Sequence, residues 1–291
     1  MIVVKLTGGL GNQMFQYAAA KALAARHHVG VKADLSFLTK KADGYTQRDY
    51  ALDVFKTQVE IAGEADLRRF KSKAGNKITR FLQRSFPFLF RNLYAAEHGS
   101  AYHSAFKTYP ENTYLDGYWQ SEKYFADQRN EIISAFQPGL PMPAELQEIE
   151  DKIKTTNSVS LHVRRGDYVS LKSASDFHGT PGIAYYQKAV ALLAQREKNI
   201  ELFIFSDDIS WCIENLKFDQ PFTFISHQYA AVWDLYLMSR CRHNIIANSS
   251  FSWWAAWLNT NADKIVVAPQ QWFADKKMNT NDLIPRSWIR L

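Results

Sequence analysis

The strongest constraint on this chain is an alternation running through its second half. Short apolar, β-prone runs at 158–163, 201–206, 222–226, 243–247 and 264–268 are separated by helical patterns near 183–196, 209–216, 230–241 and 250–259. Strand and helix repeated at this spacing build βαβ units, and hence a parallel sheet with helices on both faces. The first half opens in the same way, with a strand over 2–7, a helix over 13–26 and a strand over 29–34. It then loses regularity, with a strand expected at 113–117 and a helix over 121–136. Between the halves stands Gln137-Pro138-Gly139-Leu140-Pro141-Met142-Pro143, rich in residues that end helices. The fold class expected is therefore α/β: two Rossmann-like doubly wound domains, 1–140 and 141–291, facing each other across a cleft. The extreme C-terminus is expected to pack back on the first domain. A length of 291 residues suits two domains of this size.

In such sheets the ligand-binding loops follow the carboxyl ends of the strands. The first is Gly8-Gly9-Leu10-Gly11-Asn12-Gln13. Its glycines allow a tight turn and a close approach of backbone N–H groups to a phosphate at a helix start. With Asp34 as a ribose-binding acid this suggests a dinucleotide site, but the third small residue of that fingerprint is replaced by Met14. A plain βα turn accounts for the loop as well. The second, Ser160 to Tyr168, ends a buried strand with His162-Val163-Arg164-Arg165-Gly166-Asp167. Adjacent arginines there are costly to bury without anions, and bidentate pairing with a diphosphate would satisfy them. A structural Arg–Asp cluster is the alternative. In the third, Ser206-Asp207-Asp208, the carboxylates could accept hydrogen bonds from a nucleoside or simply cap the next helix. In the fourth, Asn248, Ser249 and Ser250 stand where a helix start favours a phosphate, and Trp253, Trp254 and Trp257 follow at core spacing.

Composition bounds the remainder. Apolar and charged fractions of 46% and 22% are ordinary for a globular protein. Two cysteines, Cys212 and Cys241, make no disulfide framework, which favours a reducing compartment. No basic, apolar leader opens the chain and no run approaches twenty apolar residues, so a cytoplasmic protein is expected. From Arg68 to Arg91 there are eight basic residues, no acidic one and an interleaving of Phe and Leu. Such a stretch is suited either to peripheral contact with an anionic membrane, giving a peripheral location at the inner membrane, or to a solvated basic helix over the core. Nucleic acid is not expected, because no binding module accompanies the patch. Zinc-type Cys/His spacing is absent.

Five segments taken in order, 8–17, 116–125 (Asp-Gly-Tyr-Trp-Gln-Ser-Glu-Lys-Tyr-Phe), 162–168, 205–208 and 248–257, resemble the α-1,2-fucosyltransferase family over nearly the whole chain. The resemblance implies a bacterial-type enzyme with a two-domain GT-B fold, and GDP-β-L-fucose bound mainly by the C-terminal half. It implies metal-independent, inverting transfer of fucose to the 2-hydroxyl of a galactoside-terminated acceptor, with no cofactor beyond the donor substrate. Arg164 and Arg165 would then meet the diphosphate, with His162 and Asp167 completing the motif. Asp207 or Asp208 would face the guanosine, and Ser249, Ser250, Phe251 and Ser252 the phosphates. Gly9, Gly11 and Asn12 would close over the donor from the first domain. Asp116, Trp119, Gln120 and His178 are candidates on the acceptor side. Asp167 and His178 are candidate general bases, as is the departing diphosphate itself. Competing readings are a transferase using another nucleotide sugar, an NAD-dependent oxidoreductase built on Gly9 and Gly11, and a non-enzymatic glycan-binding module.

Overall fold

The side chains of Ile2, Val3 and Val4 have no solvent exposure, the mark of a strand covered on both faces. They form β1 (Ile2–Lys5), which in a computed structural model pairs in parallel with β2 (Val31–Asp34) on one side and β5 (Thr113–Asp116) on the other. Beyond β2 lies β3 (Glu60–Ile61) and beyond β5 lies β4 (Leu93–Ala96), giving the all-parallel order β3-β2-β1-β5-β4. The structure describes residues 1–39, 48–57, 59–71, 77–166, 179–225, 228–275 and 278–291, with Lys71 and Lys77 described by backbone alone.

Helix α1 (Leu10–His27) connects β1 to β2. Met14, Phe15, Ala18, Ala19, Ala22 and Leu23 recur at helical spacing and are fully buried. It stops where His28 takes a left-handed φ of 54° and its N–H returns to the carbonyls of Ala24 and Ala25. Arg26 and His27 in the last turn suit the negative end of the helix dipole. Helices α2 (Glu64–Lys71) and α3 (Lys77–Ser85) precede β4, and α4 (Arg129–Ala135) follows β5. The continuous helix expected over 121–136 does not form. Single turns at Glu122–Tyr124 and Ala126–Gln128 come first, because Phe125 adopts φ −141° and buries its ring against Phe15. Packing of Tyr124 and Phe125, both essentially unexposed, overrides helical propensity there.

The second sheet is built on β6 (Asn157–Val163) and β7 (Ile200–Ser206), seven residues each and paired along their full length. With β8 (Phe222–Phe224), β9 (His243–Ile245), β10 (Val266–Ala268) and β11 (Ile289–Arg290) it has the parallel order β11-β10-β9-β6-β7-β8. Its helices are α5 (Ala144–Thr155), α6 (Ile183–Arg196), α7 (Ile209–Asn215), α8 (Ala231–Arg240) and α9 (Ser250–Leu258). Val159, Leu161 and Val163 of β6 and Leu202 and Ile204 of β7 share one core with Tyr186, Val190 and Leu193 of α6. Each such buried aliphatic side chain stabilises by about 1.5–3 kcal/mol over exposure. Trp253, Trp254 and Trp257 are buried, as their spacing predicts, with the rings of Trp253 and Trp257 stacked at 6.3 Å. One polar pin crosses this core: Asn244 Nδ2 donates to Ser160 Oγ at 2.7 Å, and Asn259 Nδ2 donates to Asn244 Oδ1 at 2.8 Å. The chain divides into two units, residues 1–139 with 279–285 and residues 140–278 with 286–291. Each carries one of the two parallel sheets, the arrangement of the GT-B class.

Candidate active site

Register decides the chemistry at the end of β6. Val163 stands opposite Ser206, so the residues leaving the two strands, 164–165 and 207–208, emerge side by side. Arg164 Nη1 pairs with Asp207 Oδ2 at 2.9 Å, and Arg165 Nε with Asp208 Oδ2 at 3.2 Å. The backbone N–H of Arg165 donates to Asp207 Oδ1 at 2.9 Å, so one carboxylate holds both the loop and the first guanidinium. The Arg165 guanidinium carbon lies 3.9 Å from the centre of the Trp211 ring, a cation–π contact. Asp208 also caps α7, its Oδ1 accepting from the N–H of Trp211 at 3.1 Å. A Cβ on Gly166 would run into the Asp207 carboxylate, so only glycine fits there without displacing it. Both arginine side chains keep about a quarter of their surface in solvent, at 26% and 21%. Two cations braced by two acids are thus fixed in position at the strand ends while still reaching solvent, rather than sealed in a core.

The sequence expectation set Asp207 or Asp208 against the guanosine. In the structure both carboxylates pair with the arginines, and Asp208 also caps α7. Trp211 has no place in the sequence reading, although an aromatic three positions beyond Asp208 on the next helix is the available signal. His162 lies within β6 and is buried, its ring 5.7 Å from that of Phe251. Asn248 Nδ2 donates to the carbonyls of Gly179 and Trp272, both at 3.1 Å, tying two loops to the start of α9. Ser249 caps that helix, its Oγ accepting from the Phe251 N–H at 3.3 Å, while the Ser252 hydroxyl, wholly buried, turns back to the Ser249 carbonyl at 3.4 Å. Ser250 and Phe251 are the half-exposed side chains of this turn.

In the first unit, Gly8 needs its left-handed φ of 73°, and its place beside Asn12 leaves no room for a Cβ. Gly9 begins α1 with an ordinary φ of −77° and open space around it, and Gly11 is buried in the first turn. Asn12 Oδ1 accepts from Gln120 Nε2 at 2.9 Å, which joins the glycine loop to the segment after β5. Two buried glutamines that sequence reading passes over fix this loop. Gln13 Nε2 donates to the carbonyls of Gly8 (2.9 Å) and Asp49 (2.8 Å), and its Oε1 accepts from the Ala51 N–H (3.0 Å). Gln16 pairs twice with Thr7, through Oε1 to its N–H and Nε2 to its hydroxyl.

Asp34 does not stand ready for a ribose: its carboxylate accepts from the Tyr114 hydroxyl at 2.6 Å and the Ser36 N–H at 2.9 Å. Asp116 binds Lys5 at 3.0 Å and the Tyr94 hydroxyl. Burial, followed by the bond to Asp116, pushes the Tyr94 phenol well above its ordinary range, so it stays a donor. The ring of Trp119 is wholly buried against Phe106 and Tyr124, at 5.5 and 5.4 Å, and so forms core rather than an acceptor surface. Its left-handed φ of 55° is held by Glu97, which accepts the N–H groups of Tyr118 (2.6 Å) and Trp119 (3.0 Å). Burial raises the Glu97 pKa, and those two N–H groups oppose the rise. Asp167 and His178 lie outside the described residues. Among the described residues no three His, Cys, Asp or Glu gather in a way that could hold a metal ion, and no helix is long and apolar enough to cross a membrane.

Comparison with known proteins accords with this arrangement. The chain is 34% identical over 297 residues to an alpha-1,2-colitosyltransferase of Escherichia coli, covering 100% of this chain and 99% of the relative. It is 35% identical over 308 residues to the O-antigen biosynthesis glycosyltransferase WbnK of Escherichia coli, covering 98% and 99%. Its fold is similar to a crystal structure of an Arabidopsis thaliana FUT1 mutant in complex with GDP, with a TM-score of 0.50, 12% identity and coverage of 91% of this chain and 69% of that one. The model of glycosyl transferase family 11 matches residues 1–291, and the chain is a glycosyltransferase that belongs to that family.

Proposed function

We propose that this enzyme transfers L-fucose from GDP-β-L-fucose to the 2-hydroxyl of a terminal galactoside, with inversion and without a metal, forming an α-1,2 linkage in glycan or O-antigen synthesis. The observation that carries the reading is the braced Arg164–Arg165 pair at the end of β6, in a chain whose full-length relative is named for α-1,2 transfer. As the C1–oxygen bond lengthens, negative charge builds on the diphosphate. Guanidiniums already held in place by Asp207 and Asp208 meet that charge with little reorganisation, so they favour the transition state over the bound donor. A pair of fixed positive charges does at the leaving group what a divalent cation does in metal-dependent transferases. Within this reading Ser250 and Phe251 at the start of α9 lie on the phosphate side. The acceptor proton passes to Asp167, to His178 or to the departing diphosphate. The reaction is assigned to the cytoplasm, where the free thiols of Cys212 and Cys241 stay reduced.

A second donor is favoured by one specific observation, the colitose named in the 34% identical relative. Colitose is fucose without its 3-hydroxyl, so both readings share the arginine pair and differ only in how the sugar ring is held. The deciding experiment offers GDP-fucose and GDP-colitose separately, with lactose as acceptor, in EDTA, and reads the product linkage by NMR. An α-1,2-fucosylated product is expected. Transfer of colitose alone would replace the donor, and GDP release from neither donor would overturn the reading.

A further inference from the structure

We propose that the surface formed by α3 and the turn after it is a docking site for an anionic lipid bilayer. Helix α3 is amphipathic in the wrong sense for a helix that only covers a core. At 100° per residue, Ile78, Phe81 and Leu82 fall on one stripe, Thr79 and Gln83 on a second, and Arg80 and Arg84 on a third. The side turned to the protein is the polar one: Gln83 is 3% exposed, whereas Ile78, Phe81 and Leu82 are 70%, 65% and 42% exposed. The apolar stripe continues into the turn Pro87–Leu89, where Pro87 is buried as an anchor and Phe86, Phe88 and Leu89 project outward. The rings of Phe86 and Phe88 meet edge to face at 6.4 Å, so the two project as one apolar unit.

Leaving six large apolar side chains together in water has a cost that isolated exposed residues do not carry. The charge around them says what removes it. Arg80, Arg84 and Arg91 are all exposed, the first two beside the apolar stripe, and no acidic residue occurs between Asp66 and Glu97. A protein partner or a second copy of this chain, which carries both signs of charge, has no need of a thirty-residue stretch free of acids. A bilayer with anionic headgroups does: aromatic and aliphatic tips enter the headgroup–acyl boundary while guanidiniums meet phosphates. The site is independent of which sugar the enzyme transfers.

The test is sedimentation of the full-length protein with vesicles, either phosphatidylcholine alone or phosphatidylcholine containing one-third phosphatidylglycerol. Binding to the anionic vesicles and weak binding to the neutral ones are expected. Arg84→Glu with Arg91→Glu should weaken partitioning by at least roughly 30-fold, at about fivefold per basic residue lost. Phe81→Ser with Leu82→Ser should abolish it while leaving the melting temperature and transfer to a soluble oligosaccharide unchanged. No binding to anionic vesicles, or binding that both double variants retain, would overturn the proposal. So would a dimer in sedimentation velocity that Phe81→Ser with Leu82→Ser dissociates, if vesicles are not bound.

Discussion

Replacing Asp207 by Asn tests whether the arginine pair owes its power to being held. The substitution keeps the shape of the side chain and one oxygen for the Arg165 N–H, but removes the charge facing Arg164 across 2.9 Å. It also presents a second donor to a guanidinium that has only donors. A charge-assisted hydrogen bond of this kind contributes about 1.5–3 kcal/mol. With these side chains 26% and 20% exposed, the lower half of that range applies to stability, so a loss of about 1–2 kcal/mol is expected. That corresponds to roughly 2–3 °C in melting temperature for a chain of this size. Catalysis should suffer more, because Arg164 then has to be reoriented while the bond breaks. A fall in kcat of roughly 10- to 100-fold is expected from about 1.4–2.8 kcal/mol of lost transition-state stabilisation. The assay is donor turnover at saturating acceptor, paired with calorimetric titration of GDP into the resting enzyme. Unchanged kcat with a GDP affinity weakened in step with KM would refute the reasoning, and would mean that Asp207 reads the nucleoside instead.

Gly166→Ala should reproduce the kinetics of Asp207→Asn without removing a charge, because the new Cβ must push the Asp207 carboxylate off Arg164. Wild-type kcat in that variant would show that the close approach is not used. Gln13→Ala leaves two carbonyls and one N–H without their partner inside the first unit, and should cost about 3 kcal/mol in urea unfolding, with a midpoint shift at constant slope. Glu97 gives a pH signature. Its folded pKa is raised above the ordinary 4.5, so the folded state binds the proton more tightly than the unfolded one. Its contribution is fully present below pH 4.5 and declines as pH rises through the folded value. Glu97→Gln should remove that decline, so the variant's unfolding free energy relative to wild type should increase from pH 4 to pH 7. A constant difference would place the carboxylate in ordinary water.

What could be read from the sequence was what local pattern determines. The runs at 158–163 and 201–206 carry Val, Leu, Ile and Phe and are followed by charged residues, so both the second sheet and the loop with Arg164 and Arg165 were legible. The pairing of those arginines with Asp207 and Asp208 was not. It depends on β6 and β7 meeting with Val163 opposite Ser206, a register between segments more than forty residues apart. Strand β3 escaped notice because two residues carry too little periodicity. Gln13 and Gln16 look like surface residues in a helical pattern, and only the chain brought against them makes them interior clamps. The burial of Trp119 was not legible either, because Phe106 and Tyr124, which close over it, come from other parts of the first unit's chain.

The chain's return to its first unit has a consequence for the order of synthesis. Residues 279–285 belong with 1–139, held in part by Ser121 Oγ donating to the Asp282 carbonyl at 2.6 Å and by the Asp282 carboxylate accepting the Tyr102 N–H at 2.9 Å. As the polypeptide leaves the ribosome, the amino-terminal unit emerges first but lacks this segment while about 140 further residues are added. At about 5–20 residues per second that wait is on the order of 7–30 s. Neither half can then be completed much before the other, and truncation near the carboxyl end should be felt at both ends of the gene product.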